Sequence, residues 1–393
     1  MQFLVSAGEA SGDMYAAGVV RCLKEMLPGS RFFGCAGPRL QALDVEPVVD
    51  SARLSVVGLA EVVAHLPRIY GDYRKLIGFA RRNRPDAALL TDNPDFNLRL
   101  ARHIKRLGVP IYYLVAPQVW AWRQGRVKVI REVIDKLFCL FPFEQEWFRQ
   151  RGVDATYIGH PLAASARPRF SRTDFVEMHQ LAPGKRTIVL LPGSRAGEAR
   201  RHLPDLLEAV SILQRRSVQT ILATPEGFEN RGVFAEFRER VSALSIKVIE
   251  NQTWDCIAHA DLALAASGTV TIEAAVLGTP MVTFYKVNPL SWWAGRRLVK
   301  VPFLSMVNLI AERQIVPELM QNRMTPANIA SAAEDLITND SKAGRMRDDL
   351  AKVRDALRAD GDPFHRAAGV ITEACGIGLA RSVSVRAIQE TMN

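Results

Sequence analysis

Short runs that are apolar at every position alternate along this chain with longer runs that are apolar on one helical face. Wholly apolar runs point to parallel strands covered on both sides, because a strand with one wet face alternates apolar and polar residues. Runs at 3–7, 31–35, 87–91, 111–115, 136–141 and 156–159 predict strands, with helical patterns such as MYAAGVVRCLKEML and FNLRLARHIKRLG between them. A polar, proline-containing stretch, HPLAASARPRFSRTDFVEMHQLAPGKR, then interrupts the pattern and reads as a linker with a short helix. The alternation restarts with TIVLLPGS, QTILAT, IKVIEN, LALAAS and MVTFYK, and helices follow from residue 328 on.

The fold class expected is therefore α/β: two doubly wound, Rossmann-like parallel-sheet domains facing a cleft. A length of 393 residues suits two domains of ordinary size. The expected division is 1–165, then 166–350, then C-terminal helices at 351–393 that return to the first domain or exchange in a dimer. Ligands of such sheets bind beyond the carboxyl ends of the strands, so two rims across a cleft suit two substrates.

Composition narrows the partners. The net charge of +10 favours phosphates, nucleic acid or an acidic membrane surface. Five scattered cysteines without a CxxC pair read as reduced thiols of a cytosolic protein, with neither a disulfide framework nor a zinc site. The N-terminus lacks a basic segment followed by a long apolar run, so no signal peptide is expected. The apolar stretch at 262–285 could pass for a membrane span, but Gly268, Gly278 and Pro280 divide it into strand, loop, helix and strand.

Candidate chemistry collects at predicted strand ends. Glu9 stands in SAGEASGD, inside a turn where phosphate-binding loops carry glycine and small polar residues. Asp92 ends AALLTD, and Asp95 follows. A carboxylate so placed can take a proton from an attacking hydroxyl; equally, Asp92 or Asp95 can cap the next helix. In the second half, Gly193, Ser194 and Arg195 of LLPGSR offer turn amides and a guanidinium to a diphosphate, or form an ordinary turn. Ser267, Gly268 and Thr269 open a helix, and Glu273, one turn on, can accept hydrogen bonds from ribose hydroxyls or simply be solvated. No P-loop, dinucleotide fingerprint, HExxH or Cys/His signature is present. His160 in GHPL reads as a loop residue. PQVWAWRQGRVKVIRE is basic and aromatic, but no RNA-binding signature accompanies it, so no nucleic-acid partner is expected.

SAGEASGD, TDNPDFN, APQVWAWR, FPFEQEWF, IGHPL, LLPGSR, AASGTVTIEA and VNLIAER occur in one order over nearly the whole chain. Together they resemble the lipid-A-disaccharide synthase family. The resemblance implies a GT-B type glycosyltransferase that moves 2,3-diacylglucosamine from UDP-2,3-diacylglucosamine to 2,3-diacylglucosamine 1-phosphate. The products are the β-1,6 disaccharide 1-phosphate of lipid A and UDP, formed with inversion and with neither cofactor nor catalytic metal. Glu9 and Asp92 match the family's essential acids, and Arg195 and Asn308 its important basic and amide residues. Ala116 and Ala164 stand where serine and aspartate are common, which touches local hydrogen bonding rather than the reaction. The alternatives are another UDP-N-acetylglucosamine enzyme of the same fold, transferase or epimerase, or a non-catalytic nucleotide- or lipid-binding protein.

Acylated substrates require contact with a bilayer. The stretch 54–84 carries Val56, Val57, Leu59, Val62, Val63, Leu66 and Ile69 beside Tyr70, Arg68, Arg74, Lys75, Arg81 and Arg82. Without the resemblance it reads as a helix packed on its own sheet; with it, as a peripheral anchor on anionic lipid. VNPLSWWAGRRLVK, 287–300, can share that role. The protein is thus expected at the cytoplasmic face of the inner membrane, as a monomer or homodimer.

Overall fold

The apolar runs form strands, and the strands form two sheets. The computed structural model describes residues 1–51, 59–227, 232–288 and 301–376; the side chains of 59–66, 233 and 234 also lie outside the description. The chain divides into two compact units, Met1–Pro161 with Ala359–Asn393, and Leu162–Arg358.

The first unit holds a seven-stranded sheet of β1 (Gln2–Ala7), β2 (Arg31–Ala36), β3 (Glu46–Asp50), β4 (Ala87–Thr91), β5 (Ile111–Leu114), β6 (Lys136–Cys139) and β7 (Ala155–Tyr157), in the order β3-β2-β1-β4-β5-β6-β7. The second holds β8 (Thr187–Leu191), β9 (Gln219–Thr224), β10 (Lys247–Glu250), β11 (Leu262–Ala266), β12 (Met281–Tyr285) and β13 (Glu318–Met320), in the order β10-β9-β8-β11-β12-β13. Pairing is parallel throughout both sheets. Each sheet starts in its middle and is wound outward in both directions, so each has one switch point: between β1 and β4, and between β8 and β11.

The central strands β4, β8 and β11 are buried at every residue, as their unbroken apolar runs require. Each leucine or valine sealed in this way contributes about 1.5–3 kcal/mol. The edge strands β3 and β13 escaped the sequence reading. β13 is only three residues long and β3 buries only Val48 and Val49, so neither offers a wholly apolar run. The 262–285 stretch folds as β11, the helix Thr269–Leu277 and β12.

The helix Ala10–Met26 buries Ala16, Val19, Val20 and Leu23. The helix Pro363–Ala374 lies against it through Ala367, Ala368 and Ile371, with the Phe364 ring over Gly18. The C-terminal helix therefore belongs to the first unit. The polar stretch after β7 packs on the second. Buried Asp255 accepts from the Arg169 and Phe170 N–H groups at 2.6 and 3.0 Å and from Arg169 Nε at 3.1 Å, and Phe175 is fully buried.

Val56 and Val57 lie outside the described residues, as do the side chains of Leu59, Val62, Val63 and Leu66 and the segment 289–300. The backbone from Leu59 is helical to Asn83, Ile69 is half-buried, and Tyr70 is exposed.

Candidate active site

At the first switch point, the turn after β1 meets the end of β4. The Asp92 carboxylate enters the turn: Oδ1 accepts from Gly8 N–H at 2.8 Å and Oδ2 from Glu9 N–H at 3.1 Å. Gly12 approaches so closely that a Cβ there would stand 1.6 Å from Asp92 Oδ2. The amides at the start of the Ala10–Met26 helix, where a phosphate binds in many such sheets, thus hold a carboxylate of the protein itself. Glu9 sits on the exposed rim of this turn, and its carbonyl accepts the first helical bond from Asp13 N–H at 2.9 Å.

Asp92 and Asn93 are both left-handed, with φ of 50° and 33°. Asp and Asn are the non-glycine residues that enter this region most readily, but two in succession are held here by neighbours. Buried Asn97 donates to the Thr91 and Asp92 carbonyls at 2.7 and 3.1 Å, and accepts from Ser6 Oγ at 2.7 Å. The hydroxyl of buried Tyr113, from β5, also donates to the Asp92 carbonyl. Burial pushes the Asp92 carboxyl up to about 7, against the Gly8 and Glu9 amides that favour its charged form, while the Glu9 charge raises it further.

Around this centre, other acids are committed. Buried Asp13 accepts from the Gly37 and Arg39 N–H groups at 2.9 and 2.8 Å and secures the turn after β2. Asp95 is ion-paired to Arg123 and Arg126. Glu144 of FPFEQEWF is buried and accepts from the Trp120 indole of APQVWAWR at 3.0 Å, which joins two sequence motifs; burial pushes its carboxyl to about 7. His160 is buried against Phe141, and burial lowers it to about 4.

The second switch point is built alike and filled differently. After β8 the chain turns at Gly193, with φ of 111°, into exposed Ser194 and Arg195, which caps the helix Ala196–Leu213. Glu198 folds back under the turn, 3.4 Å from Arg195 Nη1, and accepts from the Tyr285 hydroxyl at 3.1 Å. Buried His202 meets the Pro192 carbonyl with Nδ1 at 2.7 Å, and its Nε2 accepts from Lys286 N–H at 3.1 Å, tying the turn to the end of β12. After β11, Ser267 is half-buried, while Gly268 and Thr269 are exposed at the start of the Thr269–Leu277 helix. Burial raises the Glu273 carboxyl, against the Trp254 indole beside it.

Asn308 is fully buried, and its amide is engaged within its own loop. Nδ2 donates to the Val316 carbonyl and Glu318 Oε1 at 3.0 and 2.8 Å; Oδ1 accepts from Ile315 and Val316 N–H at 2.8 and 3.0 Å. Glu318 also accepts from Leu304 and Ser305 N–H, and Ser267 Oγ donates to the Leu304 carbonyl at 3.3 Å. Asn308 thus acts on the loop beside Ser267.

The structure brings Glu9 and Asp92 together in one unit, and sets Gly193–Arg195 and Ser267–Thr269 on neighbouring strand ends in the other. A family model described as lipid-A-disaccharide synthetase matches residues 3–368. The chain belongs to the lipid-A-disaccharide synthase family. A lipid-A-disaccharide synthase of Solibacter usitatus is 54% identical over 95% of this chain and 97% of its own length. One of Nitrosococcus oceani is 41% identical over 90% and 92%. Among solved structures, the chain is similar to an S. aureus MnaA–UDP co-structure (TM-score 0.63, 13% identity, 96% of this chain and 97% of that one). It is similarly close to a glycotransferase of kitacinnamycin (TM-score 0.63, 17% identity, 95% and 98%). At such identities the likeness shows the fold, GT-B type. Among the described residues of this family member, no helix is long and apolar enough to cross a membrane, and no cluster of three or more His, Cys, Asp or Glu side chains could hold a metal ion.

Proposed function

We infer that this chain is a hexosyltransferase that makes the lipid A disaccharide. It moves 2,3-diacylglucosamine from UDP to the 6-hydroxyl of 2,3-diacylglucosamine 1-phosphate. Family membership over nearly the whole chain carries the reaction; the Asp92 carboxylate in its amide turn carries the site.

In this reading Asp92 is the general base. The acceptor 6-oxygen bonds to the anomeric carbon while the bond to the UDP oxygen breaks. The hydroxyl proton passes to Asp92, and the bonding pair leaves with the diphosphate. A carboxyl near 7 suits a base working at neutral pH, since about half of it is ionised there and it is far more basic than an ordinary carboxylate. Glu9, on the same turn, orients the acceptor sugar. Gly193, Ser194, Arg195 and the Ser267–Thr269 turn hold the diphosphate and stabilise its growing charge, which is worth about 3–4 kcal/mol for a key donor. Glu273 receives the ribose hydroxyls. Asn308 keeps the Leu304–Glu318 loop in register beside Ser267.

The protein would work as a peripheral enzyme at the cytoplasmic face of the inner membrane. The Leu59–Asn83 helix supports this, with Tyr70 exposed and Arg81 and Arg82 in its last turn. Purified protein incubated with the two lipid substrates should yield equal amounts of disaccharide 1-phosphate and UDP by mass analysis. Release of UDP without disaccharide would overturn the reading.

A further inference from the structure

The mechanism uses the Asp92 carboxylate but leaves its backbone unexplained. Two successive left-handed residues, neither of them glycine, set the direction in which that carboxylate leaves β4. Asn97 lies in the same helix that follows β4 and spends part of its amide on Thr91 and Ser6. Tyr113 is different. It comes from the neighbouring strand, it is among the largest fully buried side chains, and its hydroxyl reaches past the sheet to the Asp92 carbonyl. A phenylalanine would fill the same space; the hydroxyl adds only that bond.

We propose that Tyr113 is a positioning residue for sugar transfer, whose hydroxyl, together with the Asn97 amide, holds the left-handed Asp92 turn and so delivers the Asp92 carboxylate to the Gly8–Gly12 amides. The inference rests on the reading of Asp92 as base. The titratable groups facing Asp92 are Glu9 from the turn, Cys35 from β2 and Tyr113 itself from β5, with Asp95 and Arg126 beyond Tyr113. A turn freed from Tyr113 lets the carboxylate slip from its amides. Misplacement of a reacting group by about 1 Å costs on the order of 10²-fold in rate.

The test is Tyr113→Phe in the full chain, read beside Asp92→Asn. Tyr113→Phe is expected to lower kcat by about tenfold to a hundredfold while the KM for the UDP-sugar stays within about twofold. The acid limb of its kcat/KM profile should move to higher pH, because the carboxylate loses amide contacts that favour its charged form. Ser6→Ala, which loosens Asn97 without touching Asp92, should show a smaller change of the same kind. If Tyr113→Phe keeps wild-type kcat and pH profile while Asp92→Asn is inactive, the positioning role is wrong and the base survives. A fall in kcat matched by weaker UDP-sugar binding would mean general loosening and would also refute it. An active Asp92→Asn removes the base reading, and this inference with it.

Discussion

The two units share a winding order, a switch point and a glycine turn leading into a helix, yet the carboxylates at their turns come from different places and are held differently. In the first, the amides around Gly8 and Glu9 are closed by Asp92, which crosses from the neighbouring strand. In the second, the turn at Gly193–Arg195 is lined by Glu198 from its own helix, half-buried and ion-paired to an exposed arginine. A helix N-terminus attracts an anion in either case. In the first turn that anion is a buried carboxylate held by two amides; in the proposed reading, the longer Glu198–Arg195 contact of the second yields to a diphosphate. In the proposed reading, Glu9 can stand where phosphate turns carry small residues because Asp92 already takes the Gly8 and Glu9 amides.

The largest effect expected is at Asp92. Asp92→Asn should lower kcat by about 10²–10⁴ and leave UDP affinity, measured by calorimetry, within about twofold. Loss of UDP binding would break the division of labour. Wild-type kcat/KM should rise with pH through about 7, where the carboxyl ionises. Stability carries the opposite sign. Because the folded carboxyl lies above its ordinary value of 3.8, ionisation costs stability as pH rises from there to about 7. Asp92→Asn lacks this loss, so its melting temperature relative to wild type should climb across that window. Arg195→Ala comes next: about 10²–10³ off kcat/KM, with UDP affinity weakened as well. An Arg195→Ala enzyme with normal UDP affinity would place the diphosphate elsewhere.

Glycines test the comparison more finely. A Cβ on Gly12 collides with the Asp92 carboxylate, whereas one on Gly268 meets nothing within 4 Å. Gly12→Ala should therefore lower both activity and stability, the latter by about 1–3 kcal/mol. Gly268→Ala should leave the melting temperature unchanged and act on UDP affinity alone. Equal thermal losses in both would mean that the turn after β11 is as closely filled as the first turn.

How much of this was legible beforehand follows from distance along the chain. The central strands announce themselves because burial on both faces makes every residue apolar, as in β4 and β11. The strand-end acids are legible because topology alone places Asp92 and Glu9 at a rim. The occupant of the first turn was not legible, since Asp92 and Gly8 are 84 positions apart and only pairing of β1 with β4 joins them. Tyr113 and Asn97 read as core and helix residues, and nothing local marks their polar atoms as bound to the Asp92 carbonyl. Glu144 and Trp120 belong to two separate motifs that meet only in the folded chain. Asn308 stands out by its motif, but its burial against Glu318 depends on β13, a three-residue strand too short to read.

The smallest effect concerns Glu198, and it decides whether the second turn is waiting or preassembled. Its carboxylate lies against Gly193 and Arg195, where the incoming diphosphate is proposed to bind, so the two anions compete for the same guanidinium. The pair is long, at 3.4 Å, and Arg195 is 59% exposed, so displacing it costs only about 0–1 kcal/mol. Glu198→Gln keeps an acceptor for the Tyr285 hydroxyl and removes the charge. UDP should then bind up to about fivefold more tightly, with kcat little changed. Calorimetry at low and high salt separates the possibilities: the gain should shrink as salt screens the repulsion. Weaker UDP binding in Glu198→Gln would mean that Glu198 aims Arg195 at the diphosphate, and both turns would then be preorganised by a carboxylate of the protein.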